Sequence, residues 1–250
     1  MTNQNYNFAG KLIRAGGDAK TVKGINDGYF TAIMYMTPHI TMGQNLCPMA
    51  ETAGCLKGCL NTAGRGQMNS VQSARQRKAE FFVADRDAFM AMLYDDIRRF
   101  INYCLKKDLK PCIRLNGTTD IRWENIRYEK HTIFELFPMV QFYDYTKIAN
   151  RRNIPNNYHL TFSYSAANPI YARQVKIAQE NGMNMAVVFR DKDTIPAQFM
   201  GWPTIDGDKN DLRFLDPQQS IVALYAKGQA KHDQSGFVVD VIPSYAMAAE

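Results

Sequence analysis

Apolar, strand-length runs that each stop at a cluster of polar side chains, with helical stretches between them, constrain this chain more than any other feature. Gly28-Tyr-Phe-Thr-Ala-Ile-Met-Tyr-Met-Thr ends at Pro38, and Lys110-Pro-Cys-Ile-Arg-Leu runs into Asn116-Gly-Thr-Thr-Asp120. Met139-Val-Gln-Phe-Tyr leads to Asp144-Tyr-Thr-Lys147, His159-Leu-Thr-Phe-Ser to Tyr164-Ser165, and Met185-Ala-Val-Val-Phe to Arg190-Asp-Lys. A last strand is expected over 220–225. Between these runs, helical spacing spans about 70–107 with a break near Asp85-Arg-Asp87, where a carboxylate can cap a second helix. A short helix is expected at 134–137. Another starts at Asn168-Pro169, where asparagine caps and proline suits the first turn, and stops at Asn181-Gly182. Such alternation favours parallel strands with right-handed crossovers, hence an α/β fold with a partial or complete parallel barrel of the TIM-like kind. In such folds the site forms at the carboxyl ends of the strands, where the polar clusters fall.

With 250 residues, 46% hydrophobic content and no compositional break, the chain reads as a single α/β domain over 1–250. The opening Met1-Thr-Asn-Gln-Asn-Tyr has neither a basic nor an apolar leader segment, and no long uncharged apolar run follows, so a soluble, cytoplasmic protein with no membrane contact is expected. No Gly-x-Gly-x-x-Gly junction or phosphate loop of the Gly-x4-Gly-Lys-Ser/Thr kind is present, which argues against ordinary dinucleotide and triphosphatase folds. The formal charge of +6 permits nucleic acid as a partner. Its three basic groups, Arg75 with Arg77 and Lys78, Lys106 with Lys107 and Lys110, and Arg151 with Arg152, read as solvated faces and loop ends.

The chemistry-bearing feature is Cys47-Pro-Met-Ala-Glu-Thr-Ala-Gly-Cys55-Leu-Lys-Gly-Cys59, on the loop after the first strand. Five cysteines are odd in number and three are clustered, so metal binding is a better reading than a disulfide framework. Cys104 and Cys112 lie in apolar runs and read as buried small hydrophobes. Three arrangements compete for the clustered thiols. They could hold a [4Fe–4S] cluster through three irons, with the fourth iron open. They could take zinc with a fourth ligand, of which His39 is nearest in sequence. They could also be unligated. Asp206, Asp208, Asp211 and Asp216 read as turn chemistry, with Asp211 paired to Arg213. Tyr143, Tyr145 and Tyr164 read as rim packing rather than base-stacking groups.

A cysteine loop following the first strand of a short α/β chain resembles the radical S-adenosylmethionine superfamily. That superfamily usually spaces its cysteines Cys-x3-Cys-x2-Cys with an aromatic residue before the last; here the gaps are wider and Gly58 holds that place. The resemblance implies S-adenosylmethionine as a cofactor, with Asn116, Gly117, Thr118, Thr119 and Asp120 meeting its amino group or ribose and Lys147 and Arg190 its carboxylate. Over most of the chain the sequence also resembles a bacteriophage family named after gene product 88. The residues carrying this are Cys47-Pro, Cys55-Leu-Lys-Gly-Cys59, Thr62-Ala-Gly-Arg-Gly66, Arg114-Leu-Asn-Gly-Thr-Thr-Asp120, Asp206-Gly-Asp208 and Arg213-Phe-Leu-Asp216. This implies a phage-encoded protein acting in the host cytoplasm. The expected function is an iron–sulfur enzyme of radical S-adenosylmethionine type acting on a nucleotide, nucleic acid or peptide. The alternative is a non-catalytic zinc- or cluster-stabilised protein that binds nucleic acid or a host factor.

Overall fold

A computed structural model describes residues 8–59, 61 and 63–241. The amino-terminal residues 1–6 read for a leader, and Thr62 of the resembling segment, lie outside the described residues. In chain order the strands are β1 (Ile13–Ala15), β2 (Tyr29–Met34), β3 (Ile40–Thr41), β4 (Gln44–Asn45), β5 (Lys110–Arg114), β6 (Gln141–Thr146), β7 (Tyr158–Ser163), β8 (Met185–Phe189), β9 (Gln198–Phe199), β10 (Trp202–Asp206), β11 (Ile221–Tyr225) and β12 (Val238–Val239). The α-helices are α1 (Ala19–Val22), α2 (Asn69–Ala84), α3 (Arg86–Leu105), α4 (Ile133–Leu136) and α5 (Pro169–Glu180).

One ten-stranded sheet organises these elements, in the order β1-β2-β5-β6-β7-β8-β11-β10-β9, with β12 also on β8. Pairing is parallel from β2 through β10, and β1 and β9 add antiparallel edges. The sheet is not closed among the described residues: its end strands are only three and two residues long and pair on one side each. Near the middle, β7 meets β8 only at Phe162↔Met185 and Ser163↔Ala186, while β12 occupies Val188 and Phe189 farther along. The carboxyl-terminal strand therefore fills the opening where β7 leaves β8.

Strand alternation divides the sheet into a helix-covered face and an inner face. On the covered side Ala32, Met34, Ile113 and Phe142 pack with Phe81, Phe82, Phe89, Leu93 and Ile97 of α2 and α3. Phe162, Met185, Val187 and Ile221 pack with Tyr171 and Val175 of α5. Each such fully buried Leu, Ile or Phe contributes about 1.5–3 kcal/mol. The helix break falls where expected: Asp85 caps α3, its carboxylate accepting from Ala88 N at 3.0 Å. Asn168 likewise caps α5 at Ile170 N, 2.8 Å.

The basic groups are less solvated than their sequence suggests. Arg75 and Lys78 are buried; Arg75 Nη1 donates to the Asn61 carbonyl at 2.8 Å and Lys78 Nζ to the Leu12 carbonyl at 3.0 Å. Arg151 is buried against Glu124 and Asp120. Asp211 pairs with Arg114, not Arg213, whose partner is Asp216 at 3.2 Å. The reason is topological. Residues 211–215, after β10, run across the inner face, placing Phe214 against Tyr29 and Tyr143 with ring centroids 5.1 and 5.5 Å away.

Candidate functional site

The cysteine loop is a set of tight turns clamped at several points. Asn45 Oδ1 accepts from Cys47 N at 2.9 Å, Ala53 N donates to the Met49 carbonyl at 2.9 Å, and Cys55 N returns to the Ala50 carbonyl at 3.1 Å. Gly54 sits at φ 66°, and a Cβ there would lie 2.6 Å from Ala167 Cβ, so both backbone conformation and space call for glycine. Ser165 Oγ donates to the Ala53 carbonyl at 2.7 Å and Ser235 Oγ to the Gly54 carbonyl at 3.3 Å. The loop is thus held from the end of β7 and from the carboxyl-terminal segment.

The Asn116–Asp120 turn is built with equal economy of space. A Cβ on Gly117 would fall 2.7 Å from Ile33 Cγ2 and from the Met34 carbonyl oxygen. Asn116 Oδ1 accepts from Thr119 Oγ1 at 2.8 Å, Ile121 N at 2.9 Å and Trp123 Nε1 at 3.1 Å, and Thr118 Oγ1 donates to the Met36 carbonyl. These polar side chains therefore hold the turn itself. Among the described residues, the backbone N–H groups of Thr118 and Thr119 have no hydrogen-bond partner. Asp120 N donates to the Leu46 carbonyl at 2.9 Å, tying the turn to the cysteine loop. The Asp120 carboxylate is buried and accepts from Thr146 Oγ1 and Lys147 N at 2.8 and 2.7 Å.

One cavity of about 470 Å³ gathers these groups at the carboxyl ends of the strands. Cys47, Cys55, Cys59, Asn116, Gly117, Thr118, Thr119 and Lys147 all line it. Asp120 lies behind this wall, and Arg190 is elsewhere: its guanidinium pairs with Asp240 at 2.5 Å and donates to the Lys231 and Asp233 carbonyls. His39 faces Glu51 at 3.3 Å and does not line the cavity. Sequence reasoning did not single out Lys20, Tyr35 or Lys227, which complete the lining. Nor did it give Arg114 a role, although Arg114 opens one of the family-resembling segments.

Burial pushes the Cys47 thiol up to about 11 and raises that of Cys55, while the nearby Lys147 ammonium opposes both shifts. Reciprocally, Lys147 is held well above the ordinary lysine value by Cys55, Cys47 and Asp120, against its own burial. Its ammonium has no hydrogen-bond or carboxylate partner among the described residues. The donor set is therefore three thiols and a cation beside two unpaired amides. Among the described residues no group of three or more His, Cys, Asp or Glu converges as ligands of one metal ion must. A multi-iron cluster asks something different, one thiolate for each of three irons spread over its face. The three cysteines share the lining of one cavity.

Fold and site together define an open parallel α/β protein with a cysteine-lined cavity at its strand ends. The chain belongs to the family described as Gene product 88, whose model matches residues 8–241. No curated protein and no solved structure matches it.

Proposed function

We propose that the protein is an iron–sulfur enzyme of radical S-adenosylmethionine type, encoded by a phage and acting in the host cytoplasm. The observation that carries this reading is the shared cavity, where Cys47, Cys55 and Cys59 meet the Thr118 and Thr119 amides and Lys147. The three cysteines would hold a [4Fe–4S] cluster. When bound, such a cluster supplies a low-potential electron and one open coordination position, the requirements for reductive cleavage of S-adenosylmethionine. Lys147 would provide an unpaired cation for the cofactor's carboxylate, and the unpaired Thr118 and Thr119 amides would add donors from the same lining. Burial of Cys47 and Cys55 keeps water away from the reacting centre. A volume of about 470 Å³ suits a small molecule and favours a nucleotide-sized substrate over a polymer. No helix among the described residues is long and apolar enough to cross a membrane.

Anaerobic purification followed by iron, sulfide and zinc analysis tests the cofactor. About four irons per chain, lost in Cys55→Ala, supports the cluster; one tightly held zinc without iron overturns it. Given iron, equilibrium dialysis with S-adenosylmethionine and product analysis after reduction test the chemistry. Iron without cofactor binding would leave a cluster-stabilised binding protein.

A further inference from the structure

A second wall of the same cavity carries a group of cations that the cysteine chemistry does not use. Lys20 Nζ and Lys227 Nζ both reach Asp208 Oδ1, at 3.0 and 3.1 Å, and Lys23 Nζ donates to the Asp208 carbonyl at 3.0 Å. Three ammonium groups from two distant segments therefore converge on one carboxylate-bearing residue. The other carboxylates of this wall are already engaged. Asp18 caps α1 through Lys20 N at 2.9 Å and accepts from Tyr35 at 3.4 Å, and Asp211 pairs with Arg114 at 2.8 Å.

Arg114 itself is underused. Its residue is 8% exposed, Nη1 donates to Asp211, the guanidinium lies over the Tyr143 and Tyr145 rings, and Nε is buried without a partner. Lys20, 24% exposed at its side chain, is pulled below the ordinary lysine value by burial, whereas Lys227 at 47% remains open to the mouth. Partly desolvated ammonium and guanidinium groups left with unsatisfied donors favour a multiply charged oxyanion. Tyr35, Tyr145, Tyr225 and Phe237 also line the cavity and give an organic body aromatic surface to pack on.

We propose that Lys20, Lys227 and Arg114 form a phosphate subsite, so that the substrate of this cavity is a small phosphorylated molecule. This deepens the reading above and rests on the cavity being the active site. A dianionic phosphate monoester matches two ammoniums sharing a single carboxylate, with Arg114 beside them, better than a monocarboxylate does, and its oxygens can take the remaining Arg114 donors as well.

Calorimetric titration of the full chain with inorganic phosphate, and in parallel with acetate, tests the subsite. Saturable phosphate binding is expected, at least about tenfold tighter than acetate and weakened about tenfold in Lys227→Met. Lys176→Met, at an exposed position on α5, should leave it unchanged. Lys227 is half exposed, so its replacement folds, and thermal melting verifies this; Lys20→Met gives a second, more buried reading. Phosphate that fails to saturate, acetate binding as tightly, or an equal loss in Lys176→Met would overturn the proposal. So would a loss in Cys55→Ser with none in Lys227→Met, which would put the anion beside the cysteines. Iron content enters neither arm, so failure of the cluster and failure of the phosphate subsite are read separately.

Discussion

Asp144 offers the sharpest test of how this protein handles buried charge. It lies on the helix-covered face of β6, fully buried, with Oδ1 accepting from Asn116 N at 2.9 Å and Tyr158 donating to Oδ2 at 3.0 Å. Burial raises its carboxyl from 3.8 to about 7, although Arg114, the Asn116 amide, Tyr158 and Arg151 all pull the other way. In the folded chain the group therefore keeps its proton up to near neutrality, whereas in the unfolded chain it ionises near pH 4. Between those values the unfolded state binds fewer protons, so stability falls as pH rises. The favourable contribution is complete below pH 4 and lost as pH passes through about 7. Over about three pH units, at about 1.4 kcal/mol each, the loss is on the order of 4 kcal/mol. Asp144→Asn carries no such proton. Urea denaturation of both proteins at half-unit steps from pH 4 to 8 should show the variant gaining about 4 kcal/mol relative to wild type across the window, then levelling. A stability difference that stays flat from pH 4 to 7 would mean that Asp144 is ionised throughout, and the argument from burial would fail.

Three further outcomes follow from contacts already described. Arg151→Met leaves Glu124 and Asp120 buried without their cation, and urea unfolding at pH 7 should show a loss of about 3–5 kcal/mol. Gly117→Ala forces a methyl into the Ile33 side chain and the Met34 carbonyl; we expect a loss of about 1–3 kcal/mol by denaturation, with weakened S-adenosylmethionine binding by dialysis. Cys104 and Cys112 are fully buried away from the cavity lining, so Cys104→Ala should retain iron after anaerobic reconstitution while Cys55→Ala loses it. Equal loss in both would remove the cysteine loop from its assigned role.

Much of this architecture was legible in the sequence because the signals were local. The Asp85 break, the Asn168 cap and the apolar runs of β5, β6, β7 and β8 each depend on a few adjacent residues. β10 escaped notice because Pro203 interrupts its sequence pattern; in the fold that proline sits at the strand's start, and parallel pairing with β11 begins at Thr204. The sequence left a partial and a complete barrel both open, since closure depends on whether the short end strands β1 and β9 find partners. At the site, the cysteines were found because they cluster in the sequence, and the Asn116–Asp120 turn and Lys147 because they follow β5 and β6 directly. Lys20 and Lys227 were missed because their meeting point, Asp208, is remote from both in the chain and α1 is only four residues long. Arg190 stands just past β8, as expected, but the carboxyl-terminal segment claims it through Asp240 and through Arg190 N to the Val239 carbonyl at 3.0 Å.

The placement of β12 sets a timetable for assembly. Because Val238 and Val239 fill the gap beside β8, and Ser235 and Phe237 reach the cysteine loop and the cavity, the wall around the thiols is finished by some of the last described residues of the chain. A ribosome-bound intermediate lacking residues 233–239 would already have its cysteines and most of its sheet, yet its cavity would stand open on that side. Loading of the proposed cluster would thus have a natural interval, after the sheet forms and before β12 docks. Release of that strand would reopen the same route in the finished protein.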